Sequence, residues 1–354
     1  MLLFTLMVCF LLSILLTPLI KKLAFFIGAT DRPSQRKVHQ TIMPRLGGLA
    51  IFLSFMAGMI LLRPEFQSSV AILLGCLIIV ITGICDDLFE LSAKVKLLGQ
   101  LAAAITVVFL GDLQVVFINL PFGGQLQFGL LSIPLTILWI VGITNAINLI
   151  DGLDGLAAGV SSIALISISG MAMLQGNVYV VAVGLVVLAS TLGFLFYNFH
   201  PASIFMGDTG ALFLGFIISV LSLLGFKNVT FISFVIPIMI LGVPISDTFF
   251  AILRRIIHKK PLSAPDKSHL HHCMLRMGFT HRQTVLLIYA MSAFFGLVAV
   301  IYSQARLGGA LLLISIVVVI IEIIAEKIGL VGGDYRPLLN IMQTFRTSSA
   351  KDRS

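Results

Sequence analysis

An adjacent pair of carboxylates, Asp86 and Asp87, lies at the end of a long apolar segment. Neighbouring carboxylates repel each other, so the pair favours a bound cation, a shared proton or a place beside a metal-bound phosphate. Lys94 and Lys96 follow just before the next apolar segment. Lysines at a membrane edge are commonly topology anchors, but beside a carboxylate pair they also predict an anionic headgroup as partner.

Two further acidic clusters have the same setting. Asn148, Asp151 and Asp154 recur at intervals of three, which places them on one face if the segment is helical. Asp208 stands between two glycines, where it is compatible with a turn, a helix N-cap or a metal ligand. Phe205, three residues earlier, could serve as an aromatic platform for a base.

A polar connection supplies histidines. His269, His271 and His272 are close together and Arg276 follows them. Three such histidines suggest zinc, but a structural zinc site wants a second ligand pair that the sequence does not offer, so phosphate binding fits better. Asp247 lies inside an apolar segment, and either a functional role or burial against polar neighbours accounts for it.

The elements that carry these residues are membrane-spanning. Of the 354 residues, 58% are apolar and 11% charged, against roughly a quarter charged in soluble domains. This composition excludes ordinary soluble enzymes and predicts an all-α polytopic membrane protein. Runs of suitable length predict a bundle of about eleven transmembrane helices. The predicted spans are 2–20, 46–62, 70–85, 97–110, 131–147, 155–174, 178–197, 210–225, 230–253, 284–302 and 308–325.

The distribution of positive charge predicts the orientation. With the N-terminus outside and the C-terminus in the cytoplasm, 20 of the 23 Lys and Arg residues fall in inner connections or the tail. The net charge of +8 thus reflects topology, and no nucleic-acid partner is predicted. Residues 113–130 predict a small outer β-hairpin. We predict one transmembrane catalytic domain over 1–331 and a polar, basic cytoplasmic tail over 332–354.

Together these groups could perform phosphoryl transfer. Carboxylates can hold Mg²⁺, lysines and histidines can bind phosphates, and an aromatic side chain can contact a base. Their placement predicts a Mg²⁺-dependent transfer between a nucleotide-linked substrate and a lipid phosphate at the inner leaflet. A secondary transporter is the rival from another class, but its inverted repeats and midplane charges are not visible here.

The motifs resemble those of the polyprenyl-phosphate N-acetylhexosamine-1-phosphate transferases, within the superfamily of the phospho-MurNAc-pentapeptide translocase. They occur in order between residues 37 and 276. The motifs are Lys37-Val-His39 with Arg45-Leu-Gly47-Gly48, Asp86-Asp87, Asn148-Leu-Ile-Asp151-Gly-Leu-Asp154-Gly, Phe205-Met-Gly-Asp208 and His269-Leu-His271-His272. The resemblance implies a bundle of ten or eleven transmembrane helices, in agreement with the predicted spans.

The resemblance also implies roles for these residues. It makes Asp208 the main Mg²⁺ ligand, with Asn148 as a second ligand or a nucleotide contact and Mn²⁺ as a substitute metal. It assigns catalysis to Asp86, with Asp87 beside it, and the lipid phosphate to Lys94 and Lys96. The implied contacts of the nucleotide sugar are Asn148, Asp151, Asp154, Phe205, His269, His271, His272 and Arg276.

The implied reaction transfers GlcNAc-1-phosphate from UDP-GlcNAc to undecaprenyl phosphate and releases UMP, with UDP-GalNAc and rarer deoxy-sugars left open as donors. It would start a cell-envelope glycopolymer, a teichoic-acid linkage unit or an O-antigen chain, at the cytoplasmic face of a bacterial inner membrane. Direct displacement and a route through an aspartyl-phosphate fit the same residues, and we favour direct attack. MurNAc-pentapeptide translocase activity is the alternative within the superfamily, and a homodimer is left open.

Overall fold

The computed structural model describes residues 1–31, 42–65, 67–119, 124–226, 231–261, 266, 268–330 and 337–340. Within these residues the chain is almost entirely helical. The helices are α1 (Leu2–Ile27), α2 (Gly48–Leu62), α3 (Ser69–Phe89), α4 (Ala93–Leu110), α5 (Ser132–Ile150), α6 (Leu156–Leu174), α7 (Val178–Asn198), α8 (Gly207–Phe226), α9 (Phe231–Ile240), α10 (Gly242–Ile257), α11 (Leu270–Arg276), α12 (His281–Gln304) and α13 (Leu307–Ile328).

The prediction of an all-α polytopic membrane protein is confirmed. In the described part of the chain, nine helices are long and apolar enough to cross a membrane, and α2, at 15 residues, is a shorter apolar helix. They account for ten of the eleven predicted spans. The orientation of the bundle stays a prediction.

The predicted span 230–253 is wrong as a single helix, because the chain breaks into α9 and α10 at Leu241. Pro244 lies in the first turn of α10 and has no amide hydrogen to donate to the Ile240 carbonyl, so one helical hydrogen bond is missing there, although the Leu241 and Ile245 amides still donate to the carbonyls four residues earlier. The break directs α10 against α5, whereas α9 packs on α12. The charges of α10, Asp247 among them, are therefore carried on a separate helix.

Two small antiparallel pairs of strands complete the structure of the described residues. β3 (Phe117–Asn119) pairs with β4 (Gln125–Gln127), which confirms the predicted hairpin. Its position on the outer side remains a prediction. The other pair, β1 (Thr30–Asp31) with β2 (Met43–Pro44), was not predicted, because two-residue strands leave no alternating pattern.

The centre of the bundle is α8, whose apolar residues between Ala211 and Leu221 are fully buried. Helices α2, α3, α5 and α6 surround it. Gly48 on α2 and Gly83 on α3 face the backbone of Gly210 and Thr209 so closely that neither has room for a Cβ atom. Small residues at such crossings let helices approach closely in a membrane. The N-terminus of α8 is consequently held between two other helices.

The last apolar helix, α13, lies at the edge of the bundle and has few buried residues, as expected of a lipid-facing helix. Its last turn carries the buried Glu326, which accepts hydrogen bonds from the amides of Leu338 and Leu339. Most of the predicted tail, 332–354, lies outside the described residues, as do Lys37 and His39. The predicted domain boundary at 331 therefore stays a prediction.

Candidate active site

The N-terminus of α8 is capped by a side chain from another helix. The Asp87 carboxylate accepts hydrogen bonds from the Asp208 amide at 2.9 Å, the Thr209 amide at 3.0 Å and the Thr209 hydroxyl at 2.6 Å. Gly207 precedes them with φ +71°, a left-handed conformation that favours glycine. A carboxylate at a helix N-terminus satisfies free amides and opposes the helix dipole. Asp87 thus fixes the position of the first turn of α8, which carries the Asp208 side chain.

Arg45, in the loop before α2, also contacts Asp87. Its Nε lies 3.5 Å from Asp87 Oδ1, and its Nη1 lies 3.5 Å from Asp31 Oδ1. Its Nη2 also donates to the Asp86 carbonyl at 3.4 Å. The guanidinium therefore ties the β1–β2 segment to the end of α3. Arg45 was part of a motif in the sequence, but its contacts were not predictable from it.

Asp86, Lys96, Asn148 and Asp208 come together from four helices. Lys96 Nζ lies 2.6 Å from Asp86 Oδ2 and 2.9 Å from Asp208 Oδ2, so one ammonium bridges two carboxylates. The Asn148 side-chain amide donates to the other oxygen of Asp208. Three clusters that are up to 122 residues apart in sequence are thereby joined in one polar network.

A cavity of about 510 Å³ opens beside this network. Asp151, Phe205, Asp208 and His272 line it together with Asn148. A volume of this size lies within the range typical of small-molecule sites. Since polar side chains from several helices converge on it, this cavity is the candidate active site.

Asp154 also lines the cavity, but its carboxylate already has partners. Its Oδ2 lies 2.8 Å from His200 Nδ1 and accepts from the Ala202 amide at 3.1 Å. His281 Nε2 lies 4.0 Å from the same oxygen, and the His200 and His281 rings are stacked with centroids 4.1 Å apart. His200 had no predicted role, because an isolated histidine near a predicted helix end gives no signal for one.

The histidine motif is held by α10. Asp247 is buried; its Oδ2 lies 2.9 Å from His269 Nδ1 and its Oδ1 accepts from the Leu270 amide at 2.8 Å. Burial of Asp247 against polar neighbours is thus observed, and a functional role for it stays a prediction. His269 and the first turn of α11 take their position from this carboxylate.

His271 is buried against Gly152 so closely that a Cβ atom there would overlap its imidazole ring. Neither ring nitrogen has a hydrogen-bond partner among the described residues. Burial, helped by the neighbouring His272, lowers the pKa of His271 to about 3. The imidazole is therefore neutral near pH 7, where it can donate or accept a hydrogen bond but brings no charge.

Asp151 has the opposite shift. Burial, and then the negative charges of Asp208, Asp87 and Asp154, raise the pKa of Asp151 to about 8. A cation bound in the cavity would oppose these effects and favour the carboxylate. The site thus has more acidic groups than its own Lys96 and Arg45 neutralise.

Two predicted site residues lie apart from the cavity. Lys94 is exposed on the first turn of α4. Arg276 is also exposed; its Nη2 donates to Cys273 Sγ at 3.0 Å, and it is not among the described residues that line the cavity. The structure brings the remaining predicted residues to the cavity, to the network beside it or to the helix that carries the histidines.

We expect Asp247→Ala to weaken use of the nucleotide sugar, because the Leu270 amide loses its buried acceptor, at a cost of about 1–3 kcal/mol. The Michaelis constant for the donor should rise about tenfold, with a smaller change for the lipid acceptor. Asp247→Asn can still accept a hydrogen bond from the Leu270 amide, so its Michaelis constant for the donor should lie between those of the unchanged protein and Asp247→Ala. Steady-state kinetics with each substrate varied in turn measures this, and equal changes for both substrates would contradict the role.

Comparisons with known proteins agree with the motifs. The family model described as Glycosyl transferase family 4 matches residues 69–226. The chain is 52% identical over 327 residues to the probable undecaprenyl-phosphate N-acetylglucosaminyl 1-phosphate transferase of Bacillus subtilis (strain 168), covering 92% of this chain and 91% of the relative.

More distant relatives have related names. The decaprenyl-phosphate N-acetylglucosaminephosphotransferase of Mycobacterium leprae is 36% identical over 336 residues, covering 85% of this chain and 84% of the relative. The undecaprenyl-phosphate alpha-N-acetylglucosaminyl 1-phosphate transferase of Salmonella typhi is 29% identical over 284 residues, covering 78% and 77%. The resemblance seen in the motifs is confirmed, and the chain belongs to the polyprenyl-phosphate N-acetylhexosamine-1-phosphate transferases of glycosyl transferase family 4.

Proposed function

We propose that this protein transfers GlcNAc-1-phosphate from UDP-GlcNAc to undecaprenyl phosphate, with release of UMP. The observation that carries the proposal is the convergence of Asp86, Lys96, Asn148 and Asp208 beside one cavity within an apolar bundle. The family membership and the names of the relatives support the same reaction. The product would start a cell-envelope glycopolymer.

In this reaction an oxygen of the lipid phosphate attacks the phosphorus nearest the sugar. A new P–O bond forms, the bond from that phosphorus to the bridging oxygen breaks, and the bridging oxygen leaves on UMP. The acceptor is anionic near neutral pH, so the attack needs positioning and charge neutralisation more than it needs a base. This favours direct displacement over an aspartyl-phosphate intermediate.

A divalent cation fits the carboxylate network. Asp86 and Asp208 already share the ammonium of Lys96, so the pair attracts a cation. The amide nitrogen and oxygen of Asn148 exchange by a simple flip, which would turn an oxygen toward that cation. We propose Asp208 as the main ligand of Mg²⁺, with Asn148 and Asp86 beside it, because Mg²⁺ prefers a few oxygen ligands together with substrate phosphates. When bound, the metal would supply neutralisation of phosphate charge.

The contacts divide the acidic pair into two roles. Asp87 has both oxygens occupied by the amides and the hydroxyl at the start of α8, so we assign it a positioning role, which modifies the catalytic role implied by the resemblance. The Asp86 carboxylate accepts none of these amides: it contacts the movable ammonium of Lys96 at 2.6 Å and faces the carboxylate of Asp208. It is therefore the better candidate to face the attacking phosphate.

The cavity wall suits the nucleotide sugar. Phe205 is half-buried at the wall, where its ring can lie against the uracil. Asp151 and Asp154 offer acceptors for uridine hydroxyl or N–H groups. His272 lines the cavity and His271 is fixed behind it by Gly152, so both can be placed near the sugar diphosphate.

An apolar groove suits the lipid chain of the acceptor. It has a volume of about 540 Å³ and lies between α5 and α10. Its lining includes Leu135, Trp139, Ile143, Ala146, Ile245, Phe249 and Ile252. Ala146 and Asn148 point to different sides of α5 but lie only about 3 Å apart along the helix axis, so one end of the groove is at the level of the polar network, where the phosphate end of a bound chain would lie. We propose Lys96 as the contact of that phosphate.

We propose that the protein lies in a bacterial inner membrane and that the cavity opens on the cytoplasmic side. The connections that follow α1, α3, α5 and α7 all contribute to the cavity or its network, and charge patterning predicts the same connections to be inside. A cytosolic nucleotide sugar and a membrane lipid would then meet at one face.

The deciding experiment measures UMP release by purified full-length protein in detergent with undecaprenyl phosphate. With Mg²⁺, UDP-GlcNAc should yield UMP and a lipid-linked GlcNAc diphosphate, and EDTA should abolish both. UDP-MurNAc-pentapeptide as the donor should yield neither. Product from the pentapeptide donor alone would assign translocase activity instead, and no product from any UDP-sugar would contradict the transferase proposal and favour a transporter.

A further inference from the structure

Three side chains with metal-ligating atoms meet at one wall of the cavity. Asp154 comes from the loop after α5, His200 from the segment after α7, and His281 from the first turn of α12. One ligand atom from each lies within 4.8 Å of the other two. His200 Nδ1 is 2.8 Å and His281 Nε2 is 4.0 Å from the same oxygen, Asp154 Oδ2.

An ordinary histidine–carboxylate pair accounts for only part of this arrangement. His200 and the Ala202 amide already occupy Asp154 Oδ2. His281 Nε2 is buried and has no hydrogen-bond partner within the described ranges. Two charged imidazoles stacked at 4.1 Å would repel each other; a charged His200 beside a neutral His281 avoids this repulsion but, like two neutral rings, leaves the buried His281 Nε2 without a hydrogen bond. A cation held between the three side chains would give His281 Nε2 a partner and would balance the charge of Asp154.

We propose that Asp154, His200 and His281 form a binding site for a transition-metal dication of the zinc class. Two imidazoles and one carboxylate are a ligand set that suits Zn²⁺, whereas Mg²⁺ prefers oxygen alone. The set is separate in its residues from the oxygen ligands assigned to Mg²⁺, and the inference does not depend on the proposed function.

Metal binding would require modest changes in the distances between the ligand atoms and rotation of at least one imidazole, because the two rings are stacked at an interplanar angle of 20° and their in-plane lone pairs do not yet converge. Tetrahedral Zn²⁺ with ligand bonds of about 2.1 Å places ligand atoms about 3.4 Å apart. The present separations of 2.8 and 4.0 Å lie on either side of that value. The guanidinium of the adjacent Arg282 lies over the Phe199 ring, 5.8 Å from the ring centroid.

The site has a consequence for the donor. Asp154 lines the cavity beside Asp151 and Asn148, so a metal-bound Asp154 would be withdrawn from any other ligand in the cavity. A zinc-class ion should therefore compete with a nucleotide bound there. Three ligands leave a fourth position of the tetrahedron open, which water or a substrate oxygen could fill.

The test is titration of tag-free full-length protein in detergent with Zn²⁺, in excess Mg²⁺ and without nucleotide, followed by calorimetry. We expect one Zn²⁺ per chain. His281→Asn and His200→Asn should each weaken Zn²⁺ binding at least about 100-fold, since loss of an outer-shell partner alone costs 10–100-fold. The capping box of α12, formed by Thr280 and Gln283, is untouched by these changes.

Two control variants separate this cluster from other sites. His272→Asn, in the same cavity, and Asp208→Asn, in the carboxylate network, should each keep Zn²⁺ affinity within about twofold of the unchanged protein. Thermal melting checks that every variant is folded. No Zn²⁺ binding by the unchanged protein, Zn²⁺ affinity in either histidine variant equal to that of the unchanged protein, or loss of binding in either control would overturn the proposal.

Discussion

Asp208→Asn is expected to reduce transfer at least about 10³-fold while the protein stays folded. Asparagine keeps the size of the side chain, and its amide leaves the hydrogen bonds from the α8 amides to Asp87 intact. It removes, however, the negative charge that faces Lys96 and would hold the metal. Metal-ion stabilisation contributes several kcal/mol to such reactions, and each 1.36 kcal/mol is tenfold in rate.

The measurement is UMP release at saturating UDP-GlcNAc and undecaprenyl phosphate, together with Mn²⁺ binding followed by electron paramagnetic resonance. Asp112→Asn is the matched control, since it makes the same chemical change at an exposed position after α4, far along that helix from Lys96. It should retain full transfer. An Asp208→Asn protein with unchanged transfer and Mn²⁺ binding would remove Asp208 from the site.

The sequence predicts which polar clusters belong together, because carboxylates are rare in apolar sequence and their positions share one side of the predicted membrane. The sequence does not predict which residue of a cluster has which role. Asp86 and Asp87 are neighbours of the same type, yet only Asp87 accepts hydrogen bonds from the amides at the start of α8, whereas Asp86 contacts Lys96. That difference depends on how α3 crosses α8 at Gly83, a packing detail that no local pattern encodes.

The break between α9 and α10 illustrates a second limit. The apolar run over 230–253 is long enough for one span, and length alone favours one helix. Pro244 gives a local signal for the break, but the direction of α10 depends on contacts with α5. The contacts of Asp247 with His269 and the Leu270 amide depend on the position of that helix.

The same reasoning applies to His200 and His281. They are 81 residues apart, and neither lies in a recognisable ligand spacing. Their rings stack because α7 and α12 both reach the cavity beside the loop that carries Asp154. Contacts of this kind come from tertiary packing, and only the structure reveals them.

Lys96→Met should lower transfer about 10²-fold, the usual cost of removing one charged or hydrogen-bonding group from a catalytic site. Lys96 is the ammonium that bridges Asp86 and Asp208. If it also neutralises the acceptor phosphate, the Michaelis constant for undecaprenyl phosphate should rise more than that for UDP-GlcNAc. Methionine keeps an unbranched apolar stem, so the packing of α4 is disturbed little.

Lys94→Met provides the comparison that makes this result specific, because Lys94 lies two residues earlier on the same helix turn but is exposed. Residues two apart point to different sides of a helix, so only Lys96 can reach the two carboxylates. Lys94→Met should change neither Michaelis constant by more than about twofold, as expected of an exposed charge near a membrane surface. If both variants lost transfer equally, the two lysines would act through the surface charge of the membrane face, and the bridging ammonium would have no special role.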